Sequence, residues 1–127
     1  MGRRSRKRAR GEESEPSAST TDYTDSEGNV LVLRGSLPAG ARREYARTLA
    51  GEGRVAGGES AREDAWQRAA ELLFERLAVR WTIAGLPLER QDELIGRYRM
   101  ATAEERAWVR DVLRVHLTAN FPELQAP

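Results

Sequence analysis

Residues 60–87 read SAREDAWQRAAELLFERLAVRWTIAGLP, and whether they form one rod decides the architecture. Ser60, with Glu63 three positions later, has the form of a capping box, which opens a helix by satisfying its first free N–H groups. Trp66, Ala70, Leu73, Leu77, Trp81 and Ala84 then recur at helical spacing. Gly85 suits the left-handed stop after a helix, and Pro87 suits the first turn of the next. The spacing predicts an unbroken helix from Ser60 to Ala84. Ala65, Leu72 and Val79 form a second stripe with Ile83 beside it, and Arg62, Arg76 and Arg80 lie between the two. So wide an apolar arc marks a central helix or one with a face left for a partner. Arginine stems can lie along such a face with their heads in water. Leu72, Arg76, Val79, Arg80 and Ile83 are therefore the candidate protein interface.

Working outward, a second helix is expected from Pro87 to about Arg99, with Leu88, Leu94, Ile95 and Tyr98 on its apolar side. Thr102 with Glu105 repeats the capping-box pattern. It starts a third helix that ends near Asn120, ahead of Pro122, and buries Trp108, Val112, Val115 and Ala119. Val109 and Leu113 widen its arc. Short turns between three such rods describe a compact bundle over residues 61–121, with a C-terminal tail at 122–127.

Upstream, residues 21–34 read as a β-hairpin. Val30 to Leu33 favour an extended strand, Tyr23 sits in the opposing one, and DSEGN suits a type I turn closed by Gly28 at positive φ. Residues 35–60 combine a short helix and a linker. Ser36 is the candidate cap of that helix, with Leu37, Ala41, Tyr45 and Leu49 at helical spacing. Gly51, Gly53, Gly57 and Gly58 make the linker loose. Residues 1–20 hold no apolar side chain larger than alanine after Met1, and such a segment cannot offset its ordering entropy. The expected fold class is mainly α: a three-helix bundle with an N-terminal β-hairpin and a disordered basic tail. No internal repeat is visible in the sequence.

The net charge of +1 over 127 residues conceals an asymmetry. Arg3, Arg4, Arg6, Lys7, Arg8 and Arg10 put six cations in the first ten residues, leaving 15 basic against 20 acidic side chains in the remainder. Six clustered cations are a candidate polyanion-binding arm, whether for nucleic acid, anionic lipid headgroups or an acidic protein. The first ten residues resemble the basic start of an export signal, but no apolar core comes after them, so a cytoplasmic protein is expected. No apolar run is long enough to span a membrane. Of the 21 basic side chains, 20 are arginine. That bias suits GC-rich, bacterial coding and weakens a nuclear-targeting reading of the arm.

Cysteine is absent, which removes disulfides, thiol catalysis and cysteine-held metals together. The single histidine, His116, falls among apolar positions of the third helix. One imidazole without a partnered acid or a second metal ligand reads as a core histidine satisfied by hydrogen bonding. GEGRVAGG lacks the lysine and hydroxyl of a phosphate loop. Glu104 and Glu105 at the start of the third helix would repel phosphates from a DNA-recognition helix. Arg106, Arg110 and Arg114 align at i, i+4 and i+8 and read as a solvated face. Trp66, Trp81 and Trp108 read as core. The sequence thus anticipates a small non-enzymatic interaction or accessory protein with no cofactor and no metal. It would act through a helical apolar face on a protein partner or a second copy, with nucleic-acid association through the arm as the alternative.

Overall fold

The computed structural model describes residues 19–51 and 59–124. The element order is β1 (Thr20–Thr24), β2 (Val30–Arg34), α1 (Ala39–Leu49), α2 (Glu59–Leu77), β3 (Ala78–Ile83), β4 (Leu86–Leu88), α3 (Gln91–Arg99) and α4 (Ala103–Asn120). A hairpin, then a short and then a long helix, occurs twice. The strands join in one antiparallel sheet of order β1-β2-β3-β4. The fold is α+β, which corrects the expectation of a mainly α three-helix bundle.

The correction falls on residues 78–84. The helix from residue 59 ends at Leu77, and Ala78–Ile83 is a strand. Val79, Thr82 and Ile83 are β-branched and Trp81 is aromatic, residue types that favour a pleated surface. Their intrinsic helix penalty is only about 0.5 kcal/mol each, too little to decide the matter alone. Pairing decides it. Leu31 stands opposite Trp81 and Leu33 opposite Ala78, so β2 and β3 bury a shared face, worth roughly 1.5–3 kcal/mol for each large side chain. Arg80 pairs with Val32 while Ala78 pairs with Leu33, so Val79 is the extra residue of a β-bulge.

Gly85 is a turn residue and not a helix stop. Ala84 has φ 52° and Gly85 φ 81°, and Ile83 pairs with Leu86 across them, as in a two-residue type I′ hairpin. Pro87 lies in the edge strand opposite Thr82, where a missing N–H faces no further strand. Helix α3 consequently begins at Gln91 but ends at Arg99 as expected.

Several local expectations agree with the structure, whereas Val115 and Ala119, expected to be buried on the third helix, are exposed. Asp25 N–H donates to the Asn29 carbonyl at 2.9 Å, Gly28 N–H donates to the Asp25 carbonyl at 3.1 Å, and Gly28 has φ 87°. The Thr102–Glu105 capping box is formed and α4 ends at Asn120. Helix α1 buries Ala41 and Tyr45, but its N-cap is Pro38, not Ser36. The first strand starts at Thr20, inside the segment expected to be a disordered tail. The remainder of that tail, most of the glycine-rich linker and the Ser60 side chain lie outside the described residues.

One core joins all layers. Leu31 and Leu33 from β2 and Trp81 from β3 meet Tyr45 of α1, Leu73, Phe74 and Leu77 of α2, Tyr98 of α3, and Val109, Leu113 and Leu117 of α4. Phe74 stacks on Tyr98 at 4.8 Å between ring centres and meets Trp81 edge-on at 5.5 Å. Of the three tryptophans only Trp81 is fully buried; Trp66 and Trp108 are half-buried.

Candidate functional site

The break at Leu77 disperses the expected interface. Leu72 and Arg76 stay on α2, whereas Val79, Arg80 and Ile83 lie on β3, where successive side chains alternate between faces. Leu72 and Ile83 pack against the core. Arg76 pairs with Glu44 of α1 at 2.9 Å, and Arg80 pairs with Glu89 at 3.3 Å. These five residues do not form one helical stripe. The candidate polyanion-binding residues Arg3, Arg4, Arg6, Lys7, Arg8 and Arg10 lie outside the described residues.

His116 is fully buried, and its surroundings assign its tautomer. A carbonyl can only accept, so Nε2–H donates to the Arg34 carbonyl at 2.6 Å and Nδ1 is left as an acceptor. The Tyr23 hydroxyl donates to that Nδ1 at 2.8 Å, and the Asn120 amide lies 3.3 Å from it. Burial holds the imidazole below its ordinary value against the opposing pull of the Arg34 carbonyl. Both nitrogens are occupied within the fold, so this ring joins α4 to β1 and β2 and offers no proton acceptor to a substrate. Among the described residues no group of three or more histidine, aspartate or glutamate side chains could hold a metal ion. No helix among them is long and apolar enough to cross a membrane.

A different set of residues is brought together between α2, the end of α3 and α4. The turn after α3 is short and tightly fixed. Thr102 Oγ1 accepts from Glu105 N–H at 3.1 Å, and Glu105 Oε1 accepts from Thr102 N–H at 2.9 Å. Arg97 grips both oxygens of the same carboxylate, at 3.2 and 2.7 Å, and its guanidinium lies 5.4 Å from the centre of the Trp81 ring. The Arg97 hydrogen bond is the main reason that the Glu105 carboxyl is held below the usual range. Anchored on a buried tryptophan, this corner fixes Arg99 at the last position of α3 and sets the rotation of α4.

The result is a cleft of about 480 Å³. Arg99, Arg106 and Arg110 line it with Gln67 and Glu71 of α2, over Tyr98, Ala103 and Ala107. Arg99 pairs with Glu71, and Arg110 with Glu63 at 3.5 Å. Arg106 reaches the Arg99 carbonyl at 3.5 Å, and among the described residues no carboxylate lies within ion-pair distance of it. Burial pushes the Tyr98 hydroxyl up, while Arg106 and Arg110 draw it down. Guanidinium groups do not give up their protons near neutral pH, and a raised phenol is a poor base. The walls of this cleft therefore carry fixed positive charge from three guanidinium groups.

Half of this cleft is visible in the sequence as the Arg106–Arg110 repeat, whose spacing alone suggests a solvated face. Arg114, the third member, pairs with Asp111 at 2.8 Å. Arg99 and the α2 residues escape a sequence reading because only the α3–α4 corner brings them beside that repeat. Comparison with protein-family models, with curated proteins and with solved structures finds no match for this chain.

Proposed function

We propose that this chain is a small non-enzymatic interaction protein whose contact surface is the cleft between α2 and α4. One observation carries the reading: three guanidinium groups converge on an apolar floor with a single carboxylate, Glu71, in the same wall. Arginine and aromatic side chains that lose their water on binding are frequent energetic centres of protein contacts. The sealed environment of His116 speaks against a competing catalytic role. The partner's complementary surface is acidic. The test is affinity capture from native lysate with wild type, with the double variant Arg106→Glu/Arg110→Glu, and with Arg43→Glu as a control on exposed α1 surface. Loss of a partner in the cleft variant alone supports the reading. A partner held equally well by that variant refutes it.

A second reading rests on the six cations between Arg3 and Arg10. An arm that neutralises about six phosphates loses affinity with a log–log salt slope of roughly −4 to −5. Replacing all six with glutamine should flatten that slope, and an unchanged slope removes the arm from consideration.

A further inference from the structure

We infer that the α2–α4 cleft is a binding site for a phosphomonoester dianion, carried on a small molecule or on a phosphorylated side chain. The inference rests on the interaction reading for its biological sense, but its chemistry stands on the cleft itself. Arg99, Arg106 and Arg110 against Glu71 give the lining a formal charge of +2, and Glu63, at the edge outside the lining, pairs with Arg110. A phosphomonoester carries about −1.5 to −2 near neutral pH, whereas one carboxylate would leave half of that charge unmatched. Guanidinium forks match tetrahedral phosphate oxygens with paired, charge-assisted hydrogen bonds.

The arginines are available for exchange. Glu63 and Arg99 are more than half exposed in their ion pairs, and solvent screening makes surface pairs of this kind weak. An incoming dianion can displace Glu71 from Arg99 and Glu63 from Arg110 at small cost, while Arg106 has no carboxylate to give up among the described residues. The volume also exceeds what a bare phosphate fills, and it lies within the range of small-ligand clefts. The group bearing the phosphate would rest on Tyr98, Ala103 and Ala107.

Two other clefts among the described residues differ in character. The one at the start of α1 sets Arg34 and Arg76 against Glu75 and Glu89, so its charges balance. The one beside Tyr45 and Leu124 holds a single carboxylate, Glu123, and no cation.

The experiment is an amide-resolved NMR titration of the full chain with adenosine 5′-monophosphate, with a phosphoserine peptide, and with adenosine and the unphosphorylated peptide as controls. Saturable shifts at Ala103, Ala107 and Arg110, given by the phosphorylated probes only, are expected. Arg106→Gln should weaken binding roughly tenfold or more. Arg110→Gln should act in the same direction, and Glu71→Gln should tighten binding by removing the internal competitor. Stronger binding of the nucleotide assigns the site to free small molecules, and stronger binding of the peptide to a modified partner. Shifts confined to residues 3–10, or binding indifferent to Arg106 and Arg110, overturn the inference. Phosphomonoester binding without any partner captured would sink the interaction reading and leave the site standing. Capture that depends on Arg106 without phosphomonoester binding would do the reverse.

Discussion

His116 Nε2–H donates to the backbone carbonyl of Arg34 at 2.6 Å, so the last residue of β2 and the C-terminal half of α4 share one buried proton. The bond fixes the neutral tautomer that also accepts from Tyr23. It makes folding sensitive to mild acid at this buried ring.

Burial lowers the His116 pKa from its ordinary 6.5, so the unfolded chain takes up a proton before the native one does. The contribution of His116 to stability is then present above pH 6.5 and falls as the pH drops from 6.5 toward the folded-state value, by at most about 1.4 kcal/mol per unit. This is the chain's only histidine. His116→Gln should lower stability at pH 7.5 yet flatten its dependence between pH 5 and 6.5. Urea unfolding at several pH values decides the point, and parallel profiles for the two proteins would contradict it.

Tyr23→Phe tests the other side of the same ring. The aromatic edge contact with His116, at 5.6 Å between centres, survives, but Nδ1 keeps only the longer approach of Asn120. A loss of about 1 kcal/mol is expected. In a double-mutant cycle with His116→Gln the two changes should fall short of additivity, because they remove the same bond. Full additivity would mean that the hydroxyl acts elsewhere.

Local chemistry is legible in this sequence and long-range pairing is not. The Asp25–Gly28 turn and the Thr102–Glu105 box depend on neighbours in the chain, and both form where the residue pattern puts them. Residues 78–84 mislead because Leu77, Trp81 and Ala84 fit a helical period, although Leu77 ends α2, Trp81 lies in β3 and Ala84 in the turn after it. What separates the alternatives is Leu31 opposite Trp81, a contact across fifty positions that no window contains. The cleft is hidden for a related reason. Its arginines come from α3 and α4, and the corner that unites them depends on Arg97 lying over Trp81, which requires β3 to exist.

Ala84→Asn should stabilise the protein. Alanine at φ 52° carries the left-handed penalty of roughly 1–2 kcal/mol, which asparagine largely avoids. Asn-Gly is also the preferred central pair of a type I′ turn. The site is exposed, and the Ala84 N–H that donates to Asn29 Oδ1 at 2.9 Å is backbone, so the substitution keeps it. A gain of about 1 kcal/mol in unfolding free energy is expected. No gain, or a loss, would argue that residues 83–86 do not form this hairpin.

Thr102→Ala removes the hydroxyl that caps α4, and a cost of about 1 kcal/mol is expected, as for comparable caps. The consequence reaches further than helix stability. Glu105 would lose one side of the box while Arg97 still holds both of its oxygens, so the α3–α4 corner should loosen without coming apart. Amide exchange should quicken at residues 103–106 and stay slow at Leu113 and Leu117, which are fully buried in the core. Arg99 and Arg106 flank that corner, so anion binding in the cleft should weaken in Thr102→Ala even though no ligand-facing side chain has changed. Unchanged binding together with accelerated exchange would mean that the arginines are positioned by α2 and not by the turn.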